Sequence, residues 1–153
     1  MALRCLIVDD SSAFLAAARG LLERQGVSVV GMASTSAEAL DRARELAPDV
    51  VLLDIDLGGE SGLQLARRIR ADSGLASLPV ILISTHPRED YADLIDASPA
   101  LGFLPKIALS ADAVRAMLNG SALVEDVRSS PRSGAASIGG APPTAPDADR
   151  EQA

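Results

Sequence analysis

The sequence predicts an α/β fold, a doubly wound sheet of five parallel strands, and three observations carry the prediction. Five short apolar runs, at 3–8, 27–31, 50–54, 80–83 and 101–104, alternate with stretches whose apolar residues recur at helical spacing. The middle run, Val50-Val51-Leu52-Leu53, is apolar without alternation, as befits a strand covered on both faces. Parallel strands joined by right-handed crossovers then place helices on both sides of the sheet.

Each element has its own signal. The first run ends at Asp9 and Asp10. Ser11 and Ser12 offer a helix cap, and Phe14, Leu15, Ala18, Leu21 and Leu22 share one helical face. Gly26 closes that region before the second strand. Thr35 and Glu38 have capping-box spacing and open a helix with Ala39, Leu40, Ala43, Leu46 and Ala47 on its buried stripe, stopped by Pro48. The third strand stops at Asp54, and a loop containing Gly58, Gly59 and Gly62 follows. The next helix turns Leu65, Ala66 and Ile69 inward and presents Arg67, Arg68 and Arg70 as a solvated face. Pro79 introduces the fourth strand, which ends at Ser84-Thr85-His86. A short helix is expected over 89–96, and the fifth strand terminates at Pro105-Lys106. The last helix runs from a Ser110 cap to Asn119, with Gly120 as its C′ residue.

Composition narrows the function. Hydrophobic residues make up 48% but aromatics only 2%, so the core is built from Leu, Ile, Val and Ala. A formal charge of −7 argues against nucleic-acid binding through a broad basic face. The lone cysteine, Cys5, lies in an apolar run and reads as a buried thiol of a reducing interior. No apolar stretch approaches the roughly 20 residues of a membrane span. Met1-Ala2-Leu3-Arg4 lacks a signal-peptide layout, so a soluble cytoplasmic protein is expected. Residues 1–120 read as one domain. Residues 121–153, rich in Ala, Pro, Ser and Gly, read as a disordered tail whose 124–127 segment could prolong the last helix by a turn.

The strand ends carry the chemistry. In an open α/β sheet, ligands collect outside the carboxyl ends of the strands. Parallel strands would bring Asp9, Asp10, Asp54, Ser84, Thr85 and Lys106 to one such edge. On its own stretch Asp54 also reads as an ordinary turn-starting aspartate. Together, three carboxylates repel one another, and a hard divalent cation such as Mg²⁺ resolves the repulsion. A lysine ammonium and a serine hydroxyl suit the oxygens of a phosphoryl group, and a central carboxylate can act as nucleophile. The pattern points to phosphoryl transfer onto Asp54.

These residues resemble the receiver domain of two-component response regulators. The resemblance rests on the acidic pair after strand one, Asp54 ending strand three and Gly62 eight residues later. It also rests on Ser84 ending strand four and on Lys106 with Phe103 three residues before it. It implies a flavodoxin-like (βα)5 sheet of order 2-1-3-4-5. It also implies a receiver over 1–120 that takes phosphate from a histidine kinase onto Asp54. Asp10 and Asp54 would bind Mg²⁺ directly, Asp9 through water, and the Asp56 backbone carbonyl would complete the protein ligands. Lys106 would pair with the phosphoryl group and Ser84 would be drawn toward it, while Phe103 rotates inward. The surface of helix four, strand five and helix five would change with them, and it is a candidate homodimer contact. For Phe103, plain core packing is the alternative.

Departures from the family pattern set further expectations. Gly58 and Ile107 stand where proline is usual, so the loop after Asp54 would be looser and the Lys106–Ile107 bond has no reason to be cis. Thr85 is bulkier than the residue often found there and would slow access of donors or water. Asp56 and His86 flank the attacking water in this family. His86 would make dephosphorylation pH-sensitive, or is a solvated loop histidine, and the rate in His86→Ala distinguishes the two. Two other functions compete. Leu53-Asp54-Ile55-Asp56 resembles the motif of haloacid-dehalogenase-type phosphatases, but here an acidic pair precedes it. A phosphate-independent binding module is the other. Residues 100–109 resemble receivers that precede a helix-turn-helix domain, which the tail does not offer. The chain is therefore expected to catalyse only its own phosphorylation and dephosphorylation and to act through an unknown protein partner. It is not expected to bind DNA or a membrane.

Overall fold

The computed structural model describes residues 2–120, so the expected tail and its possible helical turn at 124–127 lie outside the described residues. Five strands, β1 (Arg4–Val8), β2 (Ser28–Ala33), β3 (Val50–Asp54), β4 (Val80–Ser84) and β5 (Gly102–Pro105), form one parallel sheet in the order β2-β1-β3-β4-β5. Between and after them run α1 (Ser12–Arg24), α2 (Ser36–Leu46), α3 (Gly62–Ala71), α4 (Ala92–Asp96) and α5 (Ala111–Leu118). The doubly wound, flavodoxin-like order expected from the sequence is the order observed.

β3 and β4 are buried at every position because both faces of the central strands are covered. Side chains alternate between the two faces. Leu6, Val8, Val51, Leu53, Val80, Leu82 and Phe103 join one core with Ala39 and Leu40 of α2, Leu65 and Ile69 of α3, and Ile95 of α4. Their neighbours Cys5, Ile7, Leu52, Ile81, Ile83 and Leu104 alternate onto the other face, which α1 and α5 cover. Those two helices meet where Gln25 Oε1 accepts from Ala111 N at 2.6 Å. Burial pushes the Cys5 thiol up to about 12, so it is an inert packing residue. No helix of the described residues is long and apolar enough to cross a membrane.

Helix starts follow the caps predicted at Ser11, Thr35 and Ser110, and Ser61 adds a fourth that the sequence reading did not name. Ser11 Oγ accepts from Phe14 N, Thr35 Oγ1 from Glu38 N, Ser61 Oγ from Gln64 N and Ser110 Oγ from Ala113 N. The capping box is offset, however: Glu38 reaches back to Ser34 N at 2.9 Å, not to Thr35 N.

Three other expectations need correction. Ala47 is not on the buried stripe of α2; it is the exposed left-handed cap, φ 46°, because Pro48 disfavours the right-handed helical region at the preceding residue. Gly31 does not end β2. The strand continues to Ala33 opposite Val8, and the missing side chain makes room for Leu46, whose Cδ1 would stand 2.6 Å from a Cβ there. The expected helix at 89–96 is split into a 3-10 turn, Arg88–Tyr91, and the short α4. No side chain caps either piece, and the Arg88–Asp96 ion pair at 2.7 Å ties them together. β5, an edge strand, can end on Pro105, which has no N–H to donate.

Candidate functional site

Register brings the chemistry to one edge. Val8 pairs with Leu53, Asp54 with Ile83 and Ser84 with Pro105, so Asp9, Asp54, Ser84 and Lys106 all emerge at the carboxyl ends of their strands. Asp9 is fully buried, with its N–H donating to Ala33 O and its Oδ1 accepting from Ser11 N at 2.8 Å. Its Oδ2 lies 2.5 Å from Lys106 Nζ, an ion pair without hydrogen-bond alignment. Asp54 is 6% exposed; Oδ1 accepts from Asp56 N at 3.3 Å and Oδ2 from Lys106 Nζ at 3.5 Å. Burial, reinforced by the Asp9 charge and opposed by the Lys106 ammonium, pushes the Asp54 carboxyl up to about 6.

Asp10 is exposed and completes the group. One carboxylate oxygen from each of Asp9, Asp10 and Asp54 lies within 4.8 Å of the others. Of the three, only Asp9 and Asp54 pair with the Lys106 ammonium among the described residues, and Asp9 Oδ2 has no hydrogen-bond donor there. This all-oxygen, charge-excess set fits a hard divalent cation such as Mg²⁺.

Two glycines make the loop fit. A Cβ at Gly62 would stand 2.0 Å from the Asp54 carbonyl oxygen, so only glycine lets the start of α3 pass this close to the end of β3. Gly58 has φ +68°, and a Cβ there would stand 2.6 Å from Asp10 Oδ2. The loop expected to be looser is tied at several points. Leu57 is buried and its N–H donates to Glu60 O, Gly58 N donates to Asp56 Oδ1, and Glu60 Oε1 accepts from Ser36 N at 2.8 Å.

Ser84 is buried, and its Oγ accepts from His86 N at 3.0 Å, which leaves its own hydroxyl proton free to donate. Thr85, His86 and Asp56 are exposed at the rim. His86 stands edge-on to Tyr91, ring centroids 6.1 Å apart. Phe103 is already buried in the core beside Ile95, so the expected inward rotation has no exposed starting position in this structure. Ile107 is 93% exposed, and among the described residues no peptide bond is cis.

Two features escaped the sequence reading. Phe14, read as a core position of α1, places its ring 4.2 Å from Lys106 Nζ. Lys106 is also the chain's only lysine among thirteen arginines, a compositional signal that singles it out without any structure.

A five-stranded 2-1-3-4-5 sheet with an acidic pocket and one ammonium at its carboxyl edge defines a flavodoxin-like signalling domain of the receiver type. Residues 5–119 match the family model of the response regulator receiver domain, and the chain belongs to that family. It is 31% identical over 116 residues to the response regulator GacA of Pseudomonas viridiflava, covering 75% of this chain and 53% of that protein. The chain thus spans about half the length of that curated relative. Among solved structures it resembles the signal receiver domain of NarL from Mycobacterium tuberculosis, with 31% identity and a TM-score of 0.67 over 78% of this chain and 96% of that one. The fold is also that of the chemotaxis response regulator CheY4 of Vibrio cholerae, with a TM-score of 0.66 at 22% identity over 79% of this chain and 99% of that one. Family membership favours the receiver reading over the phosphatase one.

Proposed function

We propose that this chain is a phospho-accepting response regulator that takes a phosphoryl group from a histidine kinase onto Asp54 and signals through a protein partner. The observation that carries the reading is the Asp54 carboxylate, held at the end of β3 between the Lys106 ammonium and the Asp9 and Asp10 carboxylates. An Asp54 oxygen attacks phosphorus, the N–P bond of the donor phosphohistidine breaks, and an imidazole leaves. Lys106 exchanges its carboxylate partner for a phosphoryl oxygen, and the free Ser84 hydroxyl proton donates to another. Asp9, Asp10, Asp54 and the Asp56 carbonyl would hold Mg²⁺, which when bound offsets charge on the transferred group.

The receiver spans 1–120 in this reading and works in the cytoplasm beside its kinase. The surface of α4, β5 and α5 carries exposed Leu94 and Leu101, which supports an apolar contact with a partner or a second copy. His86 and Asp56 flank the site at positions suited to tune loss of the phosphoryl group, and Thr85 to limit access.

The test is incubation with Mg²⁺ and acetyl phosphate followed by intact mass. The expected result is one phosphoryl group on the wild type and none on Asp54→Asn. No gain with acetyl phosphate or a kinase, in a folded protein, would contradict the reading and favour a phosphate-independent binding module.

A further inference from the structure

We propose that Phe14 is a positioning residue for Lys106, its ring face holding the ammonium over the Asp54 carboxylate. The inference rests on Asp54 as the phosphoacceptor and assigns a role to a side chain outside the acidic group. The Lys106 ammonium stands 4.2 Å from the Phe14 ring centroid, within the range of cation–π attraction. The lysine side chain is only 12% exposed, and such attraction is strongest where water is excluded. The same ammonium faces Asp9 Oδ2 at 2.5 Å and Asp54 Oδ2 at 3.5 Å.

A lysine charge on a four-carbon stem is mobile unless its surroundings leave it few positions. Two of its three contacts are carboxylates that are also the natural ligands of a divalent cation, and one of them is the group to be modified. The ring is the contact that neither event removes. Phe14 is moreover fixed relative to the site: Asp9 Oδ1 accepts from Ser11 N, and Ser11 Oγ accepts from Phe14 N. The helix cap that starts α1 thus sets the ring and the buried carboxylate on either side of a single residue. Arginine, whose planar fork would reach past a compact site, does not replace this lysine although it supplies every other basic side chain.

Because Lys106 is the only lysine, ¹³C-lysine labelling of the full chain gives one unambiguous side-chain signal. Its ε-methylene protons are expected upfield of the ordinary lysine position in the wild type and in Phe14→Tyr, and at the ordinary position in Phe14→Leu. With acetyl phosphate and Mg²⁺, Phe14→Leu should gain the phosphoryl group about tenfold more slowly. Phe14→Tyr should recover most of that rate. In a Lys106→Met background, Phe14→Leu should change nothing further, because both act through one group. An unshifted lysine signal in the wild type, no rescue by Phe14→Tyr, or a full additional loss in the Lys106→Met background would overturn the proposal. If the wild type gains no phosphoryl group, the phosphoacceptor reading fails, and the lysine signal then decides alone whether the ring holds the ammonium.

Discussion

The two ends of the sheet use the same kinds of residue in different proportions. At the amino end the charges flanking the sheet are answered locally in two places. Arg4 donates from its backbone N–H to Asp49 and from its guanidinium to Leu46 O and Ala47 O, and Arg44 pairs with Asp72 at 2.7 Å. At the carboxyl end three carboxylates face one ammonium. A hollow does not by itself mark the chemistry. A cavity of about 440 Å³ lies at the amino end, lined by Ala43, Pro48, Leu75, Leu78 and Pro79, amid satisfied groups. What distinguishes a binding edge here is uncompensated charge held in place by buried strands, not open volume.

The comparison can be broken most severely at the charges themselves. Lys106→Met leaves Asp9 buried with no cation beside it and should cost about 3 kcal/mol in urea unfolding at neutral pH without divalent ions. Arg44→Ala, at the amino end, removes an exposed pair and should leave the same curve nearly unchanged. Equal losses from both would remove the distinction.

Close approach gives the next contrast. Gly62→Ala forces a methyl group against the Asp54 carbonyl and should cost about 2–3 kcal/mol, also displacing the start of α3. Gly74→Ala, whose Cβ would meet only the flexible Asp72 side chain at 3.4 Å, should be tolerated in the same assay.

The pH dependence should have opposite sign at the two ends. Asp54 titrates near 6 when folded and near 3.8 when unfolded, so between those values the folded state holds the extra proton. Its contribution is full below about pH 4 and is lost as pH rises through 6, by about 3 kcal/mol in the metal-free protein. Asp54→Asn should abolish that slope and be more stable than the wild type at neutral pH. Asp72, held below the usual carboxylate range by its bond from Arg44, contributes stability at neutral pH that is lost as pH falls through its folded value. Chemical denaturation across the pH range reads both.

The smallest expected effect lies where the site loop meets α2. Glu60→Ala removes the acceptor for Ser36 N and should cost about 1 kcal/mol, as loss of a helix cap does. Amide exchange at the first turn of α2 should then speed up.

Much of this was readable from the sequence because the informative residues act locally. Val50 to Leu53 announced a strand covered on both faces, and Ser11, Thr35 and Ser110 cap the helices they precede. The strand ends named Asp9, Asp54, Ser84 and Lys106 because parallel topology converts order along the chain into nearness at one edge. What stayed hidden depends on contacts between distant segments. Helical periodicity placed Phe14 on a buried face, but only the fold brings it to Lys106, and Glu60 reaches Ser36 across 24 positions. Ala47 misled because periodicity continued one residue past the point where Pro48 forbids it.

The most direct test of the central claim is borohydride trapping after reaction with acetyl phosphate and Mg²⁺, with peptide mapping by mass spectrometry. Borohydride reduces an aspartyl phosphate to homoserine and leaves unmodified aspartates alone. The account predicts homoserine at position 54 and at no carboxylate of the amino end, Asp49 and Asp72 included. Trapped homoserine at another position, with residue 54 unchanged, would contradict it.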